Sequence, residues 1–158
     1  MEVAASPAHH GDIDVLVALS AAFRAEQRVA RGGVLWDGRE APDPGREFLE
    51  AAIATTDQIC VVGTIDDVVL SFGIVGLETT RNETTIGRIE LLYVDPEART
   101  VGVGEEVIGE IVRWCHDNGC VGIDAYALPG ERLTKNFFES NGFVARLLTM
   151  RHRFDPAS

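Results

Sequence analysis

Three strand-like segments joined by very short turns constrain the fold of this 158-residue chain more than any other feature. They cover residues 58–65, 68–78 and 85–94, and all three are rich in β-branched and other apolar residues. The turns between them, at Asp66-Asp67 and Arg81-Asn82-Glu83, are too short for a crossover between parallel strands, which takes roughly a dozen residues or more. The three segments are therefore expected to pair as an antiparallel meander.

Helical periodicity appears on both sides of this meander, beginning with Leu16, Leu19 and Phe23 on one face of the first helix. The predicted helices cover residues 12–30, 44–54, 104–117 and 130–140. Further strands are predicted at residues 121–128 and 143–153. This order predicts an α/β (α+β) fold in which helices flank a mixed, mostly antiparallel central sheet of about six to seven strands. We expect one domain spanning residues 1–158.

The composition narrows the classes of partner and location. A formal net charge of −11 argues against nucleic acid and anionic membranes, which are bound largely through lysine and arginine. The N-terminus has no basic and apolar leader, and no apolar run approaches the roughly 20 residues that cross a bilayer, so a cytoplasmic protein is expected. The three cysteines, Cys60, Cys115 and Cys120, lack metal-ligand spacing, so we expect reduced thiols and no metal.

The stretch VDPEARTVGVGEEV, residues 94–107, joins the third strand to a helix. Backbone N–H groups of a first helical turn have no intrahelical partner and can hold an anion, while Gly102 and Gly104 let a ligand come close. Arg99 either contacts that anion or braces the loop. A plain helix start and a dinucleotide-binding loop are the alternatives, but Val107 occupies the place of the third small residue that a dinucleotide fingerprint needs.

The spacing Arg99-x-x-Gly102-x-Gly104 resembles the R/Q-x-x-G-x-G/A motif of the GNAT N-acetyltransferase superfamily. Val94-Asp95-Pro96 followed by Arg99 is similar to the V-x-P-x-x-R that ends a strand in these enzymes. The block NFFESNGF, residues 136–143, is similar to their later F-Y-E-K-x-G-F block. The order of the predicted elements agrees as well.

The resemblance implies direct transfer of an acetyl group from acetyl-CoA to a primary amine, without an acyl-enzyme. In the family, acetyl-CoA lies where two central parallel strands splay apart, which here would be residues 88–94 and 121–128. The pantetheine arm would run along the first of these strands, and the diphosphate would lie on the glycine loop. The implied cofactor-binding residues are Leu92, Tyr93, Val94, Arg99, Thr100, Val101, Gly102, Val103, Gly104, Glu105 and Phe138.

Glu90 is the leading candidate for the base that takes the proton of the amine. Strand alternation predicts that Glu90 shares one face with Arg88, Leu92 and Val94, and an acid among apolar neighbours is costly unless it is used or paired. The alternative is that Glu90 serves only as an ion-pair partner of Arg88 or of another arginine. Asp124 is the second candidate base.

The motifs do not supply the usual general acid, because many relatives carry a tyrosine where this chain has Phe138, which has no proton to give. Tyr126, two residues after Asp124 and predicted on the same strand face, is the candidate acid in its place. The alternative is a non-catalytic acyl-CoA-binding or regulatory domain of the same fold.

The resemblance also implies an acceptor site and an assembly. Trp36 and Asp37, in the loop between the first two helices, would line the site of a small-molecule or peptide amine. Homodimers are common in the family, and the apolar stretch VARLLTM, residues 144–150, is a candidate interface.

Overall fold

The computed structural model describes residues 1–30 and 45–154. These residues divide into two compact units. The first contains residues 1–23 and 45–125, and the second contains residues 24–30 and 126–154. No helix among the described residues has both the length and the apolar character needed to cross a membrane.

A five-stranded sheet forms the centre of the first unit, and its strands follow one another in chain order. They are β1 (Val3–Pro7), β2 (Gln58–Ile65), β3 (Val68–Thr79), β4 (Thr85–Val94) and β5 (Ile123–Asp124). Neighbouring strands are antiparallel from β1 to β4, whereas β5 lies parallel to β4. The predicted meander and the mixed, mostly antiparallel sheet are therefore confirmed.

The predicted number of strands was wrong. β1 was missed, because VAASP is short and weakly patterned and becomes a strand by pairing with β2. β5 is only two residues long where eight had been predicted, and residues 143–153 form no strand in the described structure. A strand needs a neighbour for its backbone groups, and the apolar pattern of a segment cannot supply one.

The helices lie close to their predicted positions. The described residues form α1 (Ile13–Val29), α2 (Arg46–Ala54), α3 (Val103–Asp117) and α4 (Arg132–Ser140), with short 3-10 turns at His10–Asp12 and Pro96–Ala98. Helix α4 belongs to the second unit, and α1 passes from the first unit to the second after Phe23.

One face of the sheet packs against α1 and α2. Buried side chains of both helices and of β2, β3 and β4 form a single apolar cluster there, which includes Leu16, Leu49, Phe72, Ile74, Leu91 and Tyr93. Burial of this apolar area is the main stabilising contribution to the first unit.

Helix α3 packs against the opposite face at very short range. A methyl group on Gly63 of β2 would lie 2.7 Å from side-chain methyl carbons of both Val103 and Val107. A methyl group on Gly73 of β3 would lie 2.7 Å from Ile111 Cδ1. Glycine at these two positions therefore lets the axis of α3 approach the sheet more closely than any other residue would allow.

We predict that Gly63→Ala lowers the free energy of unfolding by about 1–3 kcal/mol, because the new methyl group overpacks a rigid contact with α3. Gly109→Ala, within α3, is the matched control, since no atom lies within 4 Å of its added methyl group. That control should gain about 0.5–1 kcal/mol from helix propensity. Urea unfolding followed by circular dichroism measures both, and a neutral Gly63→Ala would contradict the close packing.

Candidate functional site

A β-bulge in β4 determines which way Glu90 faces. Ile74 of β3 lies opposite Leu91, but the next residue, Val75, lies opposite Ile89, so the register passes over Glu90. An extra residue of this kind interrupts the ladder and changes the alternation of side chains along the strand.

The bulge overturns the prediction that Arg88, Glu90, Leu92 and Val94 share one face. Leu92 and Val94 lie opposite Gly73 and Ser71, whose Cβ directions lead toward α3 or toward residues packed against it. Before the bulge the side chains alternate in the opposite sense. A methyl group on Gly87 would lie 2.6 Å from Cys115 Sγ of α3, so Gly87 is the residue that faces α3 there. Arg88, the neighbour of Gly87, therefore projects to the other face.

Arg88 and Glu90 form a half-buried ion pair. The distance from Arg88 Nε to Glu90 Oε1 is 3.5 Å, and the side chains are 34% and 26% exposed. Burial raises the pKa of Glu90 above its ordinary value, the Arg88 guanidinium opposes that shift, and the charge of Glu78 adds to it. Glu90 therefore forms the ion pair with Arg88 that the sequence analysis gave as the alternative to a role as base. Its pKa is nevertheless raised, as expected of a base.

Asp124 lies beside this pair. It is the last residue of β5 and stands opposite Arg88 in the parallel register. Opposite residues of neighbouring strands project to the same face of the sheet, so Asp124 and Arg88 share a face. The structure thus places the second predicted base opposite the arginine that pairs with the first, which sequence spacing could not foresee.

The pairing of β4 with β5 is short. Its register covers Gly87 with Ile123 and Arg88 with Asp124, and residues 89–94 of β4 continue beyond the end of β5. The predicted parallel pair is confirmed over these positions. Beyond them, β4 presents to the β5 side the backbone on which the sequence placed Leu92, Tyr93 and Val94.

The loop after β4 turns the chain sharply into α3. The Asp95 carboxylate accepts a hydrogen bond from Glu97 N at 3.0 Å, and Pro96 opens the short 3-10 turn. Thr100 and Gly102 then have φ values of +79° and +93°. Glycine adopts the positive φ at position 102 without strain. Thr100 is exposed, and its side chain makes the positive φ there strained.

Gly102 is the N-cap of α3, and it has no side chain with which to cap the helix. Glu106 N donates to Gly102 O at 3.2 Å, so the N–H groups of the preceding first-turn residues have no partner within the helix. Among residues 1–30 and 45–154, and apart from its chain neighbours, no atom lies within 4 Å of a methyl group built on Gly102, so these residues leave the space in front of the N-cap open. This helix start therefore fits an anionic group such as the diphosphate of coenzyme A.

Arg99 braces the loop, which was one of its two predicted roles. Arg99 Nε donates to Val94 O at 3.0 Å, and Arg99 Cζ lies 5.6 Å from the centre of the Tyr93 ring. Tyr93 in turn makes an edge-on contact with Phe23, with ring centres 5.9 Å apart. The loop is thereby tied to the end of β4 and to the α1 side of the core.

The other predicted cofactor residues differ in burial. Val103 and Gly104 are buried, Val101 is half-buried, and Glu105 is exposed. Glu105 and Glu106 both lie in the first turn of α3. Because carboxylates near a bound diphosphate repel it, the backbone amides are the groups of this helix start that can hold the anion.

Phe138 lies in the second unit and is 7% exposed. Its ring centre lies 5.1 Å from that of Phe143 and 5.7 Å from that of Phe137. Phe138 therefore fills an aromatic cluster of α4 and the following turn. Tyr126, the predicted acid, is an exposed residue of the same unit.

Glu131 was not among the predicted site residues. It accepts hydrogen bonds from the side-chain amide of Gln27 and from Leu128 N, the latter at 3.3 Å. Burial raises its pKa, these hydrogen bonds oppose the shift, and Glu26 adds to it. No local pattern indicated the pair, because its two members are far apart in the sequence.

Trp36 and Asp37, predicted to line the acceptor site, lie outside the described residues. Burial raises the pKa of Cys60 to about 12, and burial followed by the neighbouring Cys120 raises that of Cys115 to about 12. Both thiols are therefore poor nucleophiles at neutral pH.

Comparison with known proteins gives a match to one family model. The model described as "Acetyltransferase (GNAT) domain" matches residues 55–145. That range includes β2 to β5, the glycine loop, α3 and α4. No curated protein matches the chain at the level of sequence.

Solved structures with the same fold include three whose activity or ligand bears on the site. AAC(6')-Iy, in complex with the bisubstrate analogue CoA-S-monomethyl-acetylneamine, has a TM-score of 0.74 and 16% identity over 97% of this chain and 99% of that one. An aminoglycoside acetyltransferase from an uncultured soil metagenomic sample, in complex with sisomicin, has a TM-score of 0.70 and 14% identity over 97% of this chain and 95% of that one. Glucosamine-6-phosphate N-acetyltransferase from Arabidopsis thaliana has a TM-score of 0.68 and 19% identity over 98% of this chain and 100% of that one. At these identities the likeness establishes the fold.

We predict that Arg88→Met raises the pKa of Glu90 further, because the guanidinium is the charge that holds the carboxylate form in place. Carboxyl 13C chemical shifts followed through a pH titration measure the change directly. Arg113→Met is the matched control, since Arg113 pairs with Glu110 on the surface of α3. If Glu90 titrates alike in the wild type and in Arg88→Met, the ion pair has no electrostatic role.

Proposed function

Because the chain belongs to the acetyltransferase (GNAT) family, we propose that it transfers an acetyl group from acetyl-CoA to a primary amine by direct attack in a ternary complex. Membership confirms the resemblance seen in the motifs and, with it, an acyltransferase whose cofactor is acetyl-CoA. Amine acetylation is supported chiefly by the position and the pKa of Glu90. This half-buried carboxylate has a raised pKa and lies at the bulge of β4, beyond the end of its pairing with β5.

The first-turn amides of α3 and the glycine loop, Thr100 to Glu105, are proposed to hold the diphosphate. Leu92, Tyr93 and Val94 are proposed to border the pantetheine arm through their backbone. Acetyl-CoA supplies the activated thioester when it is bound. Arg99 is proposed to fix the loop against Val94 and Tyr93. Phe138 is proposed to fill the aromatic cluster formed by α4 and the turn that follows it.

Glu90 is proposed to remove the proton that an ammonium group must lose before it can act as a nucleophile. A carboxylate whose pKa has moved upward toward neutrality is a better base than an ordinary one. Asp124 is the second candidate, and it stands opposite the arginine that pairs with Glu90. The backbone N–H groups of residues 92–94 are the proposed donors to developing negative charge.

Tyr126 is proposed as the general acid, because Phe138 has no proton to donate. It is exposed, and a phenol with access to water can exchange its proton readily. Transfer without a general acid is the competing route.

The acceptor is proposed to be a small molecule or peptide that carries a primary amine. The related folds that act on aminoglycosides and on glucosamine 6-phosphate support a small-molecule acceptor, and a net charge of −11 favours a cationic one. Trp36 and Asp37 are proposed to line its site. We further propose a single-domain, cytoplasmic homodimer that binds neither nucleic acid nor membranes.

A non-catalytic acyl-CoA-binding or regulatory domain is the second candidate function. Phe138 favours it, because it stands where many relatives carry the tyrosine that acts as general acid. The two functions differ in turnover rather than in cofactor binding.

We predict that Glu90→Gln lowers kcat/KM by about 10²–10⁴-fold while CoA affinity is unchanged, because the variant cannot accept a proton. Release of free thiol across a panel of amines measures the rate. The wild-type rate should fall as the pH drops through the raised pKa of Glu90, which protonates the base. Glu47→Gln, at an exposed position of α2, is the control and should retain most of the activity.

Thiol release from no amine, together with CoA binding that Glu90→Gln leaves intact, would favour the non-catalytic domain. An effect confined to Asp124→Asn would assign the base to Asp124.

We predict that Gly102→Ala weakens CoA binding by at least about tenfold, because a side chain disfavours the φ of +93° that begins α3. Gly142→Ala is the matched control, since Gly142 has a φ of +89° and equally open surroundings at the end of α4. Both variants should lose some stability. Calorimetric titration with CoA should distinguish the two variants. Equal CoA affinities would contradict diphosphate binding at the start of α3.

A further inference from the structure

Two of the three cysteines lie together where α3 ends. Cys115 belongs to the last turn of α3, and Cys120 is the second residue after Asn118, the C-cap of this helix. Cys115 is 1% exposed, whereas Cys120 is half-buried. The mechanism proposed above uses neither thiol.

The turn that ends α3 determines how close the two cysteines are. Cys120 N donates to Cys115 O at 3.0 Å, and Gly119 N donates to His116 O at 3.1 Å. Gly119 has a φ of +78°. Two such hydrogen bonds around a left-handed glycine form a Schellman motif, in which the side chains at the positions of Cys115 and Cys120 frequently touch.

The backbone of this turn suits a covalent link between the two side chains. The hydrogen bond of 3.0 Å, together with standard bond lengths, holds the Cα atoms of Cys115 and Cys120 within about 7 Å of each other. Disulfides join Cα atoms that are about 4.4–6.8 Å apart. The pKa of Cys115 is raised first by burial, and then by the charge of Cys120 and by a hydrogen bond with its thiol, so the two thiols interact directly.

Cys60 is kept away from this pair by the sheet. It is 2% exposed and belongs to the apolar cluster on the α1 and α2 side. Cys115 lies on the opposite face, since its Sγ occupies space that a methyl group on Gly87 would need. Of the two other cysteines, Cys120 is therefore the one that Cys115 can reach.

We propose that Cys115 and Cys120 form a reversible disulfide when a hydroperoxide oxidises the chain. The bond would join the end of α3 to the segment that leads into β5, where Val121 N donates to Thr85 O at 2.8 Å. The connection from α3 to β5 is then a site of oxidative modification. The proposal does not depend on acetyl transfer, so either can fail without the other.

The first step takes place at Cys120, because its half-buried thiol is the one of the two that an oxidant in solvent can reach. With hydrogen peroxide as the oxidant, the Cys120 sulfur attacks one peroxide oxygen and the O–O bond breaks. The products are a sulfenic acid on Cys120 and one molecule of water.

The second step uses Cys115 as the resolving thiol. Its sulfur attacks the Cys120 sulfur, the S–O bond breaks, and the hydroxyl group leaves with the Cys115 proton as a second molecule of water. Two electrons thus pass from the two sulfurs to the peroxide. The raised pKa of Cys115 slows this step, whereas the fixed position of the two thiols accelerates it because the reaction is intramolecular.

Peptide mapping of the full chain tests the proposal. Trypsin cleaves after arginine and lysine, so residues 114–132 form one peptide that contains Cys115 and Cys120 but not Cys60. After treatment with hydrogen peroxide, followed by unfolding and alkylation, we expect this peptide to carry no alkyl group and to have lost two hydrogen atoms in mass. Dithiothreitol added before alkylation should restore two alkyl groups, since a dithiol reduces the bond by exchange.

Three variants separate the two steps. Cys60→Ser is the control, and its peptide 114–132 should be oxidised at the wild-type rate. Cys115→Ser should stop at the sulfenic acid of Cys120, which dimedone traps. Cys120→Ser should slow oxidation of this peptide at least about tenfold, because the remaining thiol is buried and protonated. Circular dichroism shows whether each variant is folded.

Two free thiols in peptide 114–132 of the native wild type, after an exposure to peroxide that oxidises the urea-unfolded chain, would overturn the proposal. A sulfinic acid on Cys120 with no disulfide would also overturn it, since Cys115 would then have failed to resolve the sulfenic acid. The rate of disulfide formation should not depend on protein concentration. A rate that rises with protein concentration would mean that the bond joins two chains, which would contradict the proposed pair.

Discussion

The close approach of α3 to the sheet is the constraint on which the candidate site depends. Gly63 and Gly73 remove the side chains that would hold the helix away, and the side chains of Val103, Val107 and Ile111 occupy that space. Because packing fixes the helix against β2 and β3, its N-terminus is held rigidly next to the end of β4. A helix start can hold an anion only if the helix is fixed in position. The proposed diphosphate site at the start of α3 therefore depends on the packing of α3 against the sheet.

The bulge at Glu90 is the second constraint. It reverses the alternation along β4, so Leu91 and Tyr93 enter the core on the α1 side while Leu92 projects toward α3. Glu90, at the bulge, pairs with Arg88. Two opposing effects act on its pKa, because burial disfavours the charged carboxylate and the arginine favours it. A carboxylate whose pKa is raised by burial suits the proposed role of a base.

We propose that this acidic protein binds an anionic cofactor at the start of α3, against its overall charge. The loop contains one arginine, and its Nε donates to the end of β4. Two glutamates lie in the first turn of α3. Attraction must then come from backbone N–H groups, which act over short distances and are little affected by the net charge. The same acidity favours a cationic acceptor amine, so one property of the composition bears on both the cofactor and the acceptor.

The sequence by itself determined the meander, the four helices and the glycine loop, because each depends on local periodicity and on turn residues. It also singled out Glu90 and Asp124. Tertiary structure alone decided that Glu90 pairs with Arg88 and Asp124 stands opposite it, that β4 changes face at Glu90, and that Gln27 meets Glu131. It also decided the number of strands, since VAASP pairs with β2 and the more apolar residues 143–153 do not form a strand. The physical reason is that register, bulges and strand pairing depend on residues from distant parts of the chain, whereas a sequence pattern reports only what each segment can bury.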